Sequence, residues 1–280
     1  MSLMNMRNVE LIFNRALLHS FSKKKLLLTF PVLFLCGILI VFCRALAIHA
    51  SSWVVMSLTF LPFFLCSSML LSLGVLLARI YHNEVKSIYT NYKKLFAQSW
   101  EVLIGISYMA LPMLLLYLFL WMFLGVFYLL RELPGVGEFF GVILAFGPFL
   151  LVFGSIVLSV SNVFALYFLT PHVAFRFGSK KRLVQELMRR IQDNPFSNIV
   201  FFILALLPLL SVVGLLYIAA SVTGAAFAVT SHSIAIVMQW FFIMIPFCAL
   251  LAPGVLFFFN FSVESFVFLE KRRQALEMHQ

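Results

Sequence analysis

K-K-K-L-L-L-T-F-P-V-L-F-L-C-G-I-L-I-V-F-C-R, residues 23–44, sets three lysines against an apolar run that a single arginine closes. A helix needs about 20 apolar residues to cross roughly 30 Å of hydrocarbon, and the run taken as 26–48 has that length. The stretch also has the outline of a secretory leader, because Ala45-Leu46-Ala47 follows it like an A-x-A cleavage site. Three features oppose cleavage: the run exceeds the 7–15 residues of a leader core, Arg44 stands beside the site, and 22 residues precede the lysines. The stretch therefore reads as a retained membrane span.

The same pattern recurs along the chain. Hydrophobic residues make up 63% of 280, with 34 phenylalanines, and the mean hydropathy is +1.07. One water-soluble core of this size cannot hide so much apolar surface. Six runs are expected to span, at 26–48, 53–78, 102–130, 139–169, 198–220 and 234–269. They are apolar on all sides rather than alternating, which excludes a β-barrel. The expected fold is all-α: a polytopic transmembrane bundle of three helical hairpins with cytoplasmic amphipathic helices. Residues 1–25 form an N-terminal amphipathic segment, 26–269 the membrane domain and 270–280 a tail.

Basic residues orient the bundle. Eighteen of twenty fall in the N-terminal segment, the second-to-third and fourth-to-fifth connections and the tail, leaving Arg44 and Arg131 for the other side. By the positive-inside rule this places both termini in the cytoplasm, in an inner-membrane protein.

Two segments read as surface helices. In the first, Val9, Ile12, Phe13, Ala16 and Leu17 share a face, opposite Glu10, Asn14 and Arg15. In the second, 179–193, Leu183, Val184, Leu187, Met188 and Ile191 form a stripe flanked by Lys180, Lys181, Arg182, Arg189 and Arg190. These five bases, with Lys23, Lys24 and Lys25, are the expected contacts to anionic lipid headgroups. A protein partner on the cytoplasmic side is the alternative use of the bases. Nucleic acid is not expected, since no aromatic residues interleave with them.

An internal repeat is also legible. L-S-L-G-V-L-L-A-R-I-Y (71–81) aligns on L-S-V-S-N-V-F-A-L-Y-F (158–168), and V-L-S-V-S-N (157–162) on V-L-F-F-F-N (255–260). Each odd-numbered span carries a proline: Pro31, Pro112 and Pro208. The expected unit is a surface helix, a proline-bearing span out and a span back, three times in parallel. F-x-R-A-L-L-x-S-F-x-K-K-K-L-L-L-T-F-P, residues 13–31, resembles the opening of several uncharacterised bacterial six-span membrane protein families. Some of those are similar to the membrane domain that precedes certain membrane-bound glycerophosphodiester phosphodiesterases. The resemblance implies architecture and brings no catalytic residue.

Catalytic sets are missing from the sequence. Asp193 is the single aspartate, which removes paired-aspartate chemistry. Cys36, Cys43, Cys66 and Cys248 lie within spans and form no C-x-x-C, and the six histidines form no metal-binding spacing. There is no phosphate-binding loop and no G-x-S-x-G setting for a serine nucleophile. No enzymatic activity, cofactor or metal is expected. The polar groups of the even spans remain: Ser72, Ser159, Asn162, Asn260 and Glu264. They read either as hydrogen-bonding sites between packed helices or as the lining of a vestibule for a solute. Gly147-Pro148, Pro246 and Pro253-Gly254 interrupt spans four and six, which reads either as broken helices at a transport site or as accommodation of excess length, since neighbouring groups let membrane helices tolerate proline. The function left standing is permease-like, or the handling of a small solute or lipid; its rival is a membrane assembly protein that binds partners through basic helices. Oligomeric state is not legible.

Overall fold

A computed structural model of the chain describes residues 6–48, 50, 52–86, 110–131, 133, 135, 137–175, 195–223 and 234–277. The regular structure among them is entirely helical: α1 (Met6–Leu18), a 3₁₀ turn (His19–Phe21), α2 (Lys23–Ala47), α3 (Ser52–Val85), α4 (Leu111–Arg131), α5 (Gly137–Phe175), α6 (Pro195–Val222) and α7 (Ile234–Glu277). Among the described residues, five stretches are long and apolar enough to cross a membrane: Lys23–Ala47, Val54–Val85, Ala145–Phe175, Pro195–Val222 and Val237–Lys271. A shorter apolar stretch, Leu111–Phe127, lies in α4. The chain is a multi-pass membrane protein.

The helices overshoot the apolar windows. α3 ends at Val85, where the sequence expectation ended the span at 78, and α7 runs unbroken through Pro246 and Pro253 to Glu277. α5 likewise continues through Pro148 and Pro171. The prolines thus sit inside continuous helices, as membrane helices tolerate when neighbouring groups satisfy the freed carbonyls. At about 1.5 Å per residue, the 39 residues of α5 and 44 of α7 reach well past the hydrocarbon. Pro112 stands in the first turn of α4, a position where its missing N–H costs little. Pro62 lies inside α3, so interior proline is not confined to the odd-numbered spans.

Packing follows chain order. α2 packs on α3, α4 on α5 and α6 on α7, while α3, α5 and α7 also pack on one another. The outer helices bridge to a second neighbour: α2 to α7, α4 to α3, and α6 to α5 through Phe202 against Phe164 and Tyr167. The main core lies along α3, α5 and α7, with Val75, Leu77, Leu256 and Phe261 fully or almost fully enclosed. Gly74 brings α3 close to α7, because a Cβ there would run into the Phe259 ring. Between α4 and α5, Gly135 takes φ +88°, a conformation that glycine adopts without strain. Outward faces keep large apolar side chains exposed, among them Leu129, Phe146, Phe149 and Leu215. Such a surface belongs in lipid.

Candidate functional site

The apolar face of α1, expected to meet lipid, is turned to protein. Ile12 and Ala16 are buried in the main core and Val9 and Phe13 pack against it, with the Phe13 ring 5.0 Å from Phe257 and 6.1 Å from Phe261 on α7. Protein, not acyl chain, covers the apolar face, and only Leu17 of the expected five is exposed. The reason is local. The 3₁₀ turn and the extended Ser22 (φ −66°, ψ 118°) end the first helix, and the chain re-enters helix at Lys23 with α1 folded back on α7.

This docking assembles charged groups from four elements. Lys25 is fully buried, with its Nζ 2.5 Å from Glu84 Oε2 and 4.9 Å over the Tyr81 ring. His19 Nδ1 stands 3.6 Å from the same Glu84 oxygen, and its ring meets Tyr81 edge-on at 5.4 Å. Tyr81 Oη donates to Glu264 Oε1 at 2.6 Å, and Arg15 Nη1 lies 3.6 Å from that oxygen. Asn260 Nδ2 donates to Ser20 Oγ at 3.3 Å, and Ser20 Oγ donates to the Ala16 carbonyl at 2.7 Å. Tyr81 is the hub, touching groups from the 3₁₀ turn, α2 and α7. The buried pair is held by geometry rather than by the strength of ion pairs in general, since desolvation offsets much of the attraction between buried charges.

Beside the hub is a cleft of about 420 Å³ between α1, α3 and α7. Ile12, Val85, Val263, Val267 and Phe268 are its apolar lining. Arg15, Lys86, Lys271, His82 and Glu264 supply its polar groups. Separately, Tyr167 Oη shares a hydrogen bond of 2.7 Å with Ser265 Oγ, and Ser262 Oγ donates to the Tyr167 carbonyl at 2.5 Å, tying α5 to α7.

The expected site residues divide. Of the vestibule set, Glu264 reaches the cleft, whereas Asn162 and Asn260 are enclosed, 3% and 1% exposed. Ser72 and Ser159 donate back to the Ser68 and Ser155 carbonyls of their own helices. Lys25 cannot reach headgroups because it is inside the protein against Glu84, while Lys23 and Lys24 are exposed. Lys180, Lys181, Arg182, Arg189 and Arg190 lie outside the described residues. Sequence reasoning missed Glu84 and Tyr81 as site residues. The available signal was Ser20, four residues after Ala16, which continues the apolar face of α1 with a polar group.

Cysteines at Asn162 and Asn260, with the four native cysteines replaced, are expected to resist a membrane-impermeant thiol reagent until the protein is denatured. Rapid labelling of both in the folded protein would restore a water-filled vestibule. Comparison with protein-family models, curated proteins and solved structures returned no match, so the functional reading rests on these residues.

Proposed function

We propose that the chain is a non-enzymatic inner-membrane protein that holds an amphiphile, a lipid or lipid-like molecule, in the cleft between α1, α3 and α7. The observation that carries this reading is that one cleft is lined both by apolar residues, Ile12, Val85, Val263, Val267 and Phe268, and by charged ones, Arg15, Lys86, Glu264 and Lys271. A solute pathway through the bundle centre is disfavoured by the burial of Asn162 and Asn260. Extracted in mild detergent, the protein is expected to retain lipid that organic solvent releases. Val267→Trp, which adds bulk at the cleft's apolar lining, should lose that lipid; equal retention by the variant overturns the reading.

The architecture proposed with it is six spans in three hairpins. α4 supports the sixth span, since 21 residues at about 1.5 Å each match the hydrocarbon thickness of roughly 30 Å. The pairing of α2 with α3, α4 with α5 and α6 with α7, around mutually packed α3, α5 and α7, supports a threefold repeat. The basic bias supports cytoplasmic termini. Reporter fusions after residues 50, 135 and 228 should read extracytoplasmic, and after 90, 185 and 280 cytoplasmic; one inverted pair overturns the topology.

A further inference from the structure

We infer that the cleft selects an amphiphile with an anionic, phosphate-type headgroup, an inference that rests on the amphiphile reading above. Three bases from three helices reach the cleft, Arg15 from α1, Lys86 at the end of α3 and Lys271 from α7, against one carboxylate, Glu264. That carboxylate is already engaged by the Tyr81 hydroxyl at 2.6 Å. Its distance to Arg15, 3.6 Å, is longer than the roughly 2.7–2.9 Å of a charge-assisted hydrogen bond. The guanidinium, with five donors, therefore keeps capacity for a further anion, and its side chain is 57% exposed.

Size and shape narrow the class. At about 30 Å³ per water in the liquid, the cleft of about 420 Å³ has room for a glycerophosphate headgroup and several methylenes. It is far larger than inorganic phosphate needs. The apolar wall residues Val85, Val263, Val267 and Phe268 line the same cleft as the bases, so a ligand that fills it and meets the charges must carry alkyl surface. An acidic peptide would satisfy the bases and leave that wall uncovered.

The test uses the full chain in neutral detergent with fluorescent phosphatidylglycerol and fluorescent phosphatidylcholine of identical acyl chains. Wild type should bind phosphatidylglycerol at least about tenfold more tightly, a modest share of what three surface bases can contribute. Arg15→Gln/Lys86→Gln/Lys271→Gln should fall to the phosphatidylcholine level. Lys23→Gln/Lys24→Gln, at exposed lysines of the same end that do not line the cleft, should keep the preference. All five positions are exposed, so folding should survive both sets. Glycerol phosphate at millimolar concentration should not displace the lipid; full displacement would assign the site to a soluble phosphate instead. Equal binding of the two lipids, lost for both in Val267→Trp, overturns the headgroup inference and leaves the amphiphile reading intact. Binding untouched by Val267→Trp overturns both. Loss of preference in the Lys23/Lys24 variant equal to that in the triple variant would mean general surface attraction and no selective cleft.

Discussion

Replacing Glu84 with Leu is expected to lower the unfolding free energy by about 3 kcal/mol, the low end of the cost of stranding one partner of a buried ion pair. Lys25 would be left in a site with no solvent exposure, facing the Tyr81 ring at 4.9 Å without its carboxylate. The low end applies because the Glu84 side chain is itself 26% exposed. Lys25→Met in the Glu84→Leu background should recover most of the loss, since an apolar pair of similar volume often matches a buried ion pair in stability. Thermal unfolding in detergent reads both effects. A Glu84→Leu variant as stable as wild type, or a double variant worse than either single one, would show that the pair does not form.

The second large effect is expected at the seam between α3 and α7. Gly74→Val adds atoms where the ring of Phe259 already stands, and Phe259 is itself only 2% exposed. Overpacking of this kind costs about 1–3 kcal/mol, and the upper figure is expected because ring and helix backbone are both confined. Phe259→Leu should cost stability alone yet partly rescue Gly74→Val, giving a coupling of at least about 0.5 kcal/mol between residues in contact. Additive effects would mean that α3 and α7 do not meet at this point. Since α3 and α7 both contribute to the Tyr81 hub, the seam variant should also loosen the Tyr81–Glu264 hydrogen bond.

The helices were legible because their determinants are local. Runs without charge, bounded by Lys23, Arg44 or Asn194-Pro195, have the length that hydrocarbon demands, and helix is the way to satisfy their backbone there. The ends were not legible to the same degree. An apolar window registers where hydrocarbon stops, whereas the backbone hydrogen bonds of α3 continue through Arg79, Tyr81 and Glu84. For that reason the hub fell into what the sequence presented as a loop. Lys25 was misassigned on the same grounds: in a run of three lysines nothing local distinguishes the one that turns inward. Its burial depends on a partner 59 positions away, Glu84. The apolar stripe of α1 was correctly read as amphipathic, but a stripe does not say whether lipid or protein covers it. Here the choice was made by Phe257 and Phe261, which meet Phe13 from α7. Asn162 and Asn260 show the converse. Their shared place in the repeat was visible, whereas their enclosure depends on the packing of α3, α5 and α7.

Docking of α1 onto α7 is the claim on which hub and cleft both depend, and chemical crosslinking tests it most directly. In a background with the native cysteines replaced, Phe13→Cys and Phe257→Cys put thiols where two rings lie 5.0 Å apart, and a short bifunctional thiol reagent should join them in native membranes. Leu11→Cys, on the exposed side of α1 at 61%, should not join to Phe257→Cys. Efficient crosslinking of the first pair alone is the predicted result. Failure of the first pair to crosslink, with both thiols reacting instead with a lipid-soluble maleimide, would mean that α1 lies in the lipid and that the cleft does not exist.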